Sequence, residues 1–309
     1  MENHRNGIKG GGMLRFGYIF SFFFLLFVVW WTLNDLTDGN WGALTGGLDN
    51  FKIFFKESMW PPDWSIFEAR SYPVCDKEIE FFCSVAYIGM METIKIAFVA
   101  TIIGFIVALF FSSLAARNLT PIWVSIPIRI FLAGTRSLPS IIWAIVFVIV
   151  VGFGPLSGVL AMTFYTIGYI GKLQYEAIEG MSNAPLEAAR VMGLTRSEIS
   201  INIVIPETSN HLLSQLLFMF EYNVRHGTVI GIVGAGGIGY YINTYLKFLQ
   251  YEKVFALLIV IFAVVVFIDI ISMVIRSFVN EEGDVKRPTW VSLFLSPEQA
   301  INFYHTEEE

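Results

Sequence analysis

Between Ser209 and Ile232 a largely apolar stretch carries groups that could do chemistry together: Glu221, Asn223, Arg225, His226 and Thr228. A guanidinium matches tetrahedral oxyanions through paired hydrogen bonds. Inside a bilayer it costs about 2.5–3.5 kcal/mol on insertion scales, so it needs a partner, a protein interior or a water-filled cavity. Two readings stand on these residues alone. Glu221 and Arg225, four apart on a helix, can neutralise each other and fasten helices together. Alternatively, Arg225 lines a polar path along which an anion moves, with Asn223 and Thr228 offering hydrogen bonds. Arg136 and Ser140, at the head of another apolar run, form either a second polar station on that path or a charged flank at the membrane surface.

Other chemistries find no support. His4, His211, His226 and His305 are scattered without metal-ligand spacing, and neither G-x-S-x-G nor H-E-x-x-H occurs, so we expect no catalytic residue and no metal. Gly234-Ala235-Gly236-Gly237-Ile238-Gly239 satisfies G-x-G-x-x-G, but it follows an apolar helix and not a strand, so a dinucleotide site is rejected. Gly234, Gly236, Gly237 and Gly239 instead let the backbone bend and approach a partner closely, as a gate loop would. No G-x-x-x-x-G-K-[ST] is present to cradle ATP phosphates, so any ATP and Mg belong to a partner and this chain needs no cofactor. The formal net charge of −6 and the lack of a basic cluster give no sign of nucleic acid.

A polar interruption at 182–206 has a readable grammar. Ser182 or Asn183 caps a helix with Pro185 in its first turn, Gly193 is a left-handed terminator, and Thr195 with Glu198 makes a capping box for a second helix. Two short helices joined at a glycine make a handle on which something outside the bilayer can pull.

The surrounding elements are membrane helices. Of 309 residues 55% are hydrophobic and 15% charged, with mean hydropathy +0.62, which marks an integral membrane protein rich in lipid-facing aromatic residues. About 20 apolar residues cross the hydrocarbon. Runs at 16–34, 96–116, 126–151, 155–171, 209–232 and 254–276 therefore predict an all-α polytopic protein with about six transmembrane helices, the third and fourth divided by Gly152-Phe153-Gly154-Pro155. The first is expected to be a retained helix, because Trp30, Trp31 and Leu33 occupy the place of small cleavage-site residues. Arg5, Lys9, Arg15, Arg117, Arg129, Lys172, Arg190, Arg196 and Arg276 fall on one side of the membrane, which places both termini and the 182–206 loop in the cytoplasm. Residues 1–15 are then a cytoplasmic N-terminus, 35–87 an acidic extracytoplasmic loop, 88–277 the core and 278–309 a cytoplasmic tail. Cys75 and Cys83 lie in the outer loop, where an oxidising compartment makes a disulfide between them the expectation and two thiols the alternative.

The spacing E-A-A-x-x-x-G, nine residues, I-x-I-P from Glu187 to Pro206 resembles the coupling loop of ABC importer permeases. Denser matches run from Trp60-Pro61-Pro62-Asp63-Trp64-Ser65 through Val150 to Ala161, Gly171-Lys172-Leu173, Phe220 to Arg225 and Val233 to Gly239. Over roughly residues 60–276 the chain is similar to the permease subunit of phosphonate ABC importers, of the PhnE-like kind. The resemblance implies a type I ABC importer (MetI-like) permease fold in a bacterial inner membrane. It also implies a second permease subunit, expected as a homodimer, two cytoplasmic ABC ATPase subunits and an extracytoplasmic phosphonate-binding protein. Glu187, Ala188, Ala189, Arg190, Gly193 and Leu194 would couple to the ATPase, small Ala188 and Ala189 allowing close approach. Arg225 is tilted towards the anion path.

The expected function is passage of phosphonate or a related phosphorus oxyanion, with phosphite or phosphate as the alternative within the class. A passive anion channel, the alternative from another class, would need no coupling loop. Ser140 stands where members of the resembled family often carry Glu, the segment 71–84 looks inserted, and the tail from Asn280 is long, with Ser296-Pro297-Glu298-Gln299 reading as a helix start.

Overall fold

The computed structural model describes residues 7–69 and 79–279. The chain divides at Pro61 into two units. In the first, α1 (Gly7–Leu36) extends the predicted span by two residues at its C-terminal end and closes where Asp38 and Gly39 take positive φ, with the Gly39 N–H donating to Asn34 O at 3.0 Å. The stretch after it is not the plain loop expected. It contains α2 (Gly42–Phe54) and a π-turn at Phe55–Met59, with Lys52 paired to Asp49 at 3.1 Å.

The second unit begins with 3-10 turns at Trp64–Phe67 and Glu80–Cys83. Next comes α3 (Val85–Ala115), capped by Ser84, whose Oγ accepts from the Tyr87 N–H at 3.2 Å. It is followed by α4 (Ile122–Ser137), α5 (Ser140–Val151), α6 (Pro155–Gly180), α7 (Asn183–Val191), α8 (Arg196–Ile199) with a π-turn at Ser200–Val204, α9 (Ile205–Ile230), α10 (Ile238–Lys247) and α11 (Tyr251–Val279). Strand pairing among the described residues is confined to an isolated bridge between Ala69 and Ser84. The fold is all-α.

The third predicted span is not one helix. Its halves, α4 and α5, meet at 89°. Pro139 brings no N–H and crowds the residue before it out of the helical region, and Leu138 accordingly sits at φ −100, ψ 138. The next break falls as read, with Gly152 at φ +91 and Pro155 opening α6. By length and composition α1, α3 and α11 can each cross a membrane, and the bent pairs α4–α5 and α8/α9–α10 raise the number to as many as five. The remaining expected span, α6, falls outside this group because it is a central helix: α3, α4, α5 and α9 all pack on it, and buried Thr166, Gly168 and Gln174 replace lipid-facing apolar groups. Gly168 permits the closest of these contacts, since a Cβ there would lie 2.1 Å from Thr135 Oγ1.

Two apolar cores flank this centre. Met90, Val224, Ile238 and Leu257 join α3, α9, α10 and α11, while Leu119, Leu132, Ile178, Leu186, Ile199 and Val204 tie the 182–206 loop to α4 and α6.

Candidate translocation path and coupling loop

In the loop at 182–206, α7 ends in a complete left-handed cap. Gly193, at φ +80, donates to Arg190 O at 3.0 Å, and Leu194 N–H reaches Ala189 O at 3.2 Å, which is the paired hydrogen-bond pattern of a Schellman turn. Thr195 N–H donates to Glu198 Oε2 at 2.7 Å and Thr195 Oγ1 accepts from Glu198 N–H, completing the capping box. That carboxyl is held below its ordinary pKa by the Thr195 hydroxyl and amide.

The two expected small residues separate. Ala188 is exposed beside Glu187 and Arg190, but Ala189 is fully buried with Leu186 against the core, so it anchors the helix inward and offers no surface to a partner. In its place the tip presents Val191 and Met192, 89% and 68% exposed, an apolar pair that periodicity on so short a helix does not reveal. Beneath the loop, the Arg129 guanidinium donates to Glu179 and to Ala115 O and lies over the Tyr175 ring, and Arg117 N–H donates to the same Glu179 carboxylate.

The six path residues expected from the sequence fall into three environments. Asn223 is buried, and its Nδ2 donates to Thr101 Oγ1 at 2.8 Å and Thr166 Oγ1 at 3.0 Å, clasping α3, α6 and α9. Glu221 and Arg225 lie on the α9 face towards α11. Arg225 Nη2 reaches Asp269 Oδ1 at 2.8 Å and Oδ2 at 3.0 Å, closer than Glu221 at 3.6 Å, while Arg276 donates to Glu221. The pair read from the sequence is therefore part of a chain of four alternating charges, and Asp269 and Arg276 are the members missed. Thr228 returns its hydroxyl to Arg225 O on its own helix at 2.6 Å.

Arg136 and Ser140 make the third environment. Ser140 Oγ lies 3.2 Å from His226 Nδ1, the His226 ring stacks on Tyr222 at 3.9 Å, and the Tyr222 and Tyr165 hydroxyls meet at 2.9 Å. Tyr169 extends the stack. Arg136 ends α4 at the 89° bend, half-buried, and its guanidinium has no hydrogen bond or ion pair among the described residues. The hydroxyls and imidazole of this face offer hydrogen bonds that can replace part of the hydration of an oxyanion, and Arg136 stands four positions before Ser140 as the nearest cation in the sequence.

At the far end of α9, Gly234, Gly236 and Gly237 all take positive φ, and Gly239 packs so tightly that a Cβ would lie 2.1 Å from Thr228 O. Gly234 O accepts from Gly154 N–H and Thr93 Oγ1 from Ile238 N–H, which binds this loop to the start of α6 and to α3. Cys83 is buried and disulfide-bonded; Cys75, its expected partner, lies outside the described residues, as do residues 280–309 with Ser296 to Gln299.

A polytopic helical core with a glycine loop at one end of a polar helix and a capped helical handle at the other defines a membrane permease. The chain belongs to the family described as "Binding-protein-dependent transport system inner membrane component", which matches residues 100–280. It is 33% identical over 276 residues to the phosphite transport system permease protein of Stutzerimonas stutzeri, spanning 89% of this chain and 93% of that one. It is 36% identical over 117 residues to a putative cryptic phosphonate transport system permease protein of Escherichia coli (strain K12), spanning 38% of this chain and 96% of that one. A crystal structure of the MetNI methionine ABC transporter shares the fold, with TM-score 0.57 at 22% identity over 64% of this chain and 97% of that one. The chain is thus a multi-pass inner-membrane permease component, a non-catalytic class.

Proposed function

We propose that this chain forms the translocation path of an ATP-driven importer for phosphonate or a closely related phosphorus oxyanion, phosphite and phosphate among them. The observation that carries the path is the face where Ser140 meets His226 on the tyrosine stack, with Arg136, whose guanidinium makes no hydrogen bond or ion pair among the described residues, four positions before Ser140 at the α4–α5 bend. Arg225, by contrast, is neutralised by Asp269 and Glu221. The likeness to permeases of a phosphite transport system and of a putative cryptic phosphonate transport system supports the cargo class.

In this reading the handle docks on a partner ATPase through Val191, Met192, Ala188 and Glu187, while Arg190 turns back onto Asn118 O, and Gly193 and Leu194 fix its angle. The ATPase supplies ATP and Mg. Two copies of the chain, two ATPase subunits and an extracytoplasmic binding protein complete the importer. Both chain termini and the handle are cytoplasmic, and the loop at Gly234 to Gly239 is the outer gate.

The test is uptake into proteoliposomes holding the chain, its ATPase and its binding protein. We expect ATP-dependent accumulation of labelled methylphosphonate, with phosphite and phosphate competing and acetate failing to compete. ATP-independent uptake would contradict the importer, and equal competition by acetate would contradict the cargo class.

A further inference from the structure

At the end of the core that carries the handle, two cavities share residues and have opposite character. One, of about 570 Å³, is walled by Ile106, Phe110, Ile201 and Ile205, with the hydroxyls of Ser113 and Ser200 also on its lining. The other, of about 460 Å³, is lined by Arg117, Arg190 and Arg196 with Asn118. Leu119, Thr120 and Arg196 border both, so an apolar groove runs into a basic pocket.

Charge in the basic pocket is not already spent. Arg117 and Arg196 make no side-chain hydrogen bond or ion pair among the described residues, and Arg190 is satisfied only through Asn118 O. Glu179, the carboxylate behind this loop, is occupied by Arg129 and the Arg117 amide. Asn118 donates to Ile178 O at 2.7 Å, yet its buried Oδ1 accepts nothing from the described residues. The groove is mostly apolar and its large side chains are open to the surroundings: Ile106, Phe110 and Ile201 are each over 60% exposed.

We propose that this paired cavity is a binding site for an anionic glycerophospholipid, whose acyl chain lies along Ile106, Phe110, Ile201 and Ile205 and whose phosphate sits among Arg117, Arg190 and Arg196. A free phosphate would use the arginines and leave the groove empty, and a neutral lipid would use the groove and leave the arginines unneutralised. Since the site joins α3 and α4 to α8, a bound lipid would brace the base of the handle. The inference rests on the chain spanning a membrane and not on which anion it carries.

The experiment is lipid retention by the full-length chain. After equilibration in nanodiscs of equal parts phosphatidylglycerol and phosphatidylcholine, protein is extracted into detergent and the co-purified lipid is quantified by native mass spectrometry. Wild type should retain phosphatidylglycerol in preference, and Arg117→Gln with Arg196→Gln should lower that preference by roughly tenfold or more. Arg196→Gln alone, at an exposed position whose side chain makes no hydrogen bond or ion pair among the described residues, should lower it by a smaller factor. Ser113→Trp, filling the groove, should reduce retention of phosphatidylglycerol while the arginines remain. Equal retention of the two lipids by wild type would overturn the proposal, as would an unchanged preference in the arginine variants. Displacement of the lipid by excess inorganic phosphate would make this a free-phosphate site and also overturn it. Loss of ATPase association in the double variant with lipid preference intact would assign the arginines to the ATPase instead.

Discussion

Arg225 and Asp269 stand 44 residues apart and share two hydrogen bonds, from one guanidinium nitrogen to both carboxylate oxygens at 2.8 and 3.0 Å. This contact joins α9 to α11 and leaves Arg225 only secondarily engaged with Glu221, whose own stronger partner is Arg276. Removing one charge leaves its partner unpaired, a cost of roughly 2–3 kcal/mol in a membrane. Arg225→Met should therefore lower the amount of folded permease, and Arg225→Met with Asp269→Asn should restore most of it. Yield and thermal stability of the purified variants check this. A double variant with restored stability but no uptake would return Arg225 to the anion path.

Gly193 sets the angle between α7 and α8 at φ +80. A β-branched residue in that conformation costs on the order of 1–2 kcal/mol and opposes the left-handed cap. Gly193→Val should cut ATP-driven uptake severalfold while the protein stays in the membrane, and Gly193→Asn, which tolerates the conformation, should be milder. Uptake per inserted molecule is the measurement. Wild-type uptake by Gly193→Val would remove the handle from the coupling route.

These two cases mark what sequence could show. The Gly193 cap and the Thr195–Glu198 box were legible because all their atoms lie within a few residues. So was the break before Pro155. Asp269 and Arg276 were not, because their pairing with Arg225 and Glu221 depends on how α11 packs on α9, and nothing local announces it. The clasp made by Asn223 was hidden for the same reason, since its Thr101 and Thr166 partners come from two other helices. Ala189, expected with Ala188 to allow close approach, turns inward with Leu186, a facing that a motif does not give. The 89° bend was missed since one proline within an apolar run gives a stop without a direction.

Cysteine access tests compartment and pairing together. With Cys83 buried in a disulfide and Cys75 proposed as its partner outside the cell, intact cells should resist an impermeant maleimide until a reductant is added. Labelling that requires permeabilisation and no reductant would contradict both the pairing and the outward placement of this loop.

Asp63 gives a pH signature. The Ser65 backbone N–H, donating at 2.9 Å, holds its carboxyl below the ordinary value of 3.8, and Lys253 at 3.9 Å acts in the same direction. A carboxylate with a lowered folded-state pKa stabilises the fold above its unfolded pKa and loses that contribution as pH falls through the folded value. Wild type should therefore exceed Asp63→Asn in melting temperature at neutral pH, and the gap should shrink as pH falls below 3.8. A gap that does not change with pH would show that the carboxylate charge is not what matters at this turn.

The most direct test of the transport account is ATP-dependent methylphosphonate uptake by Arg136→Gln in the assembled importer. A guanidinium at the α4–α5 bend with no ion pair among the described residues is the cation we propose for the passing oxyanion. Losing it should cost about 1.5–3 kcal/mol of charge-assisted binding, or at least tenfold in uptake, with assembly and stimulated ATP hydrolysis retained. Uptake at the wild-type rate by the assembled variant would contradict the account.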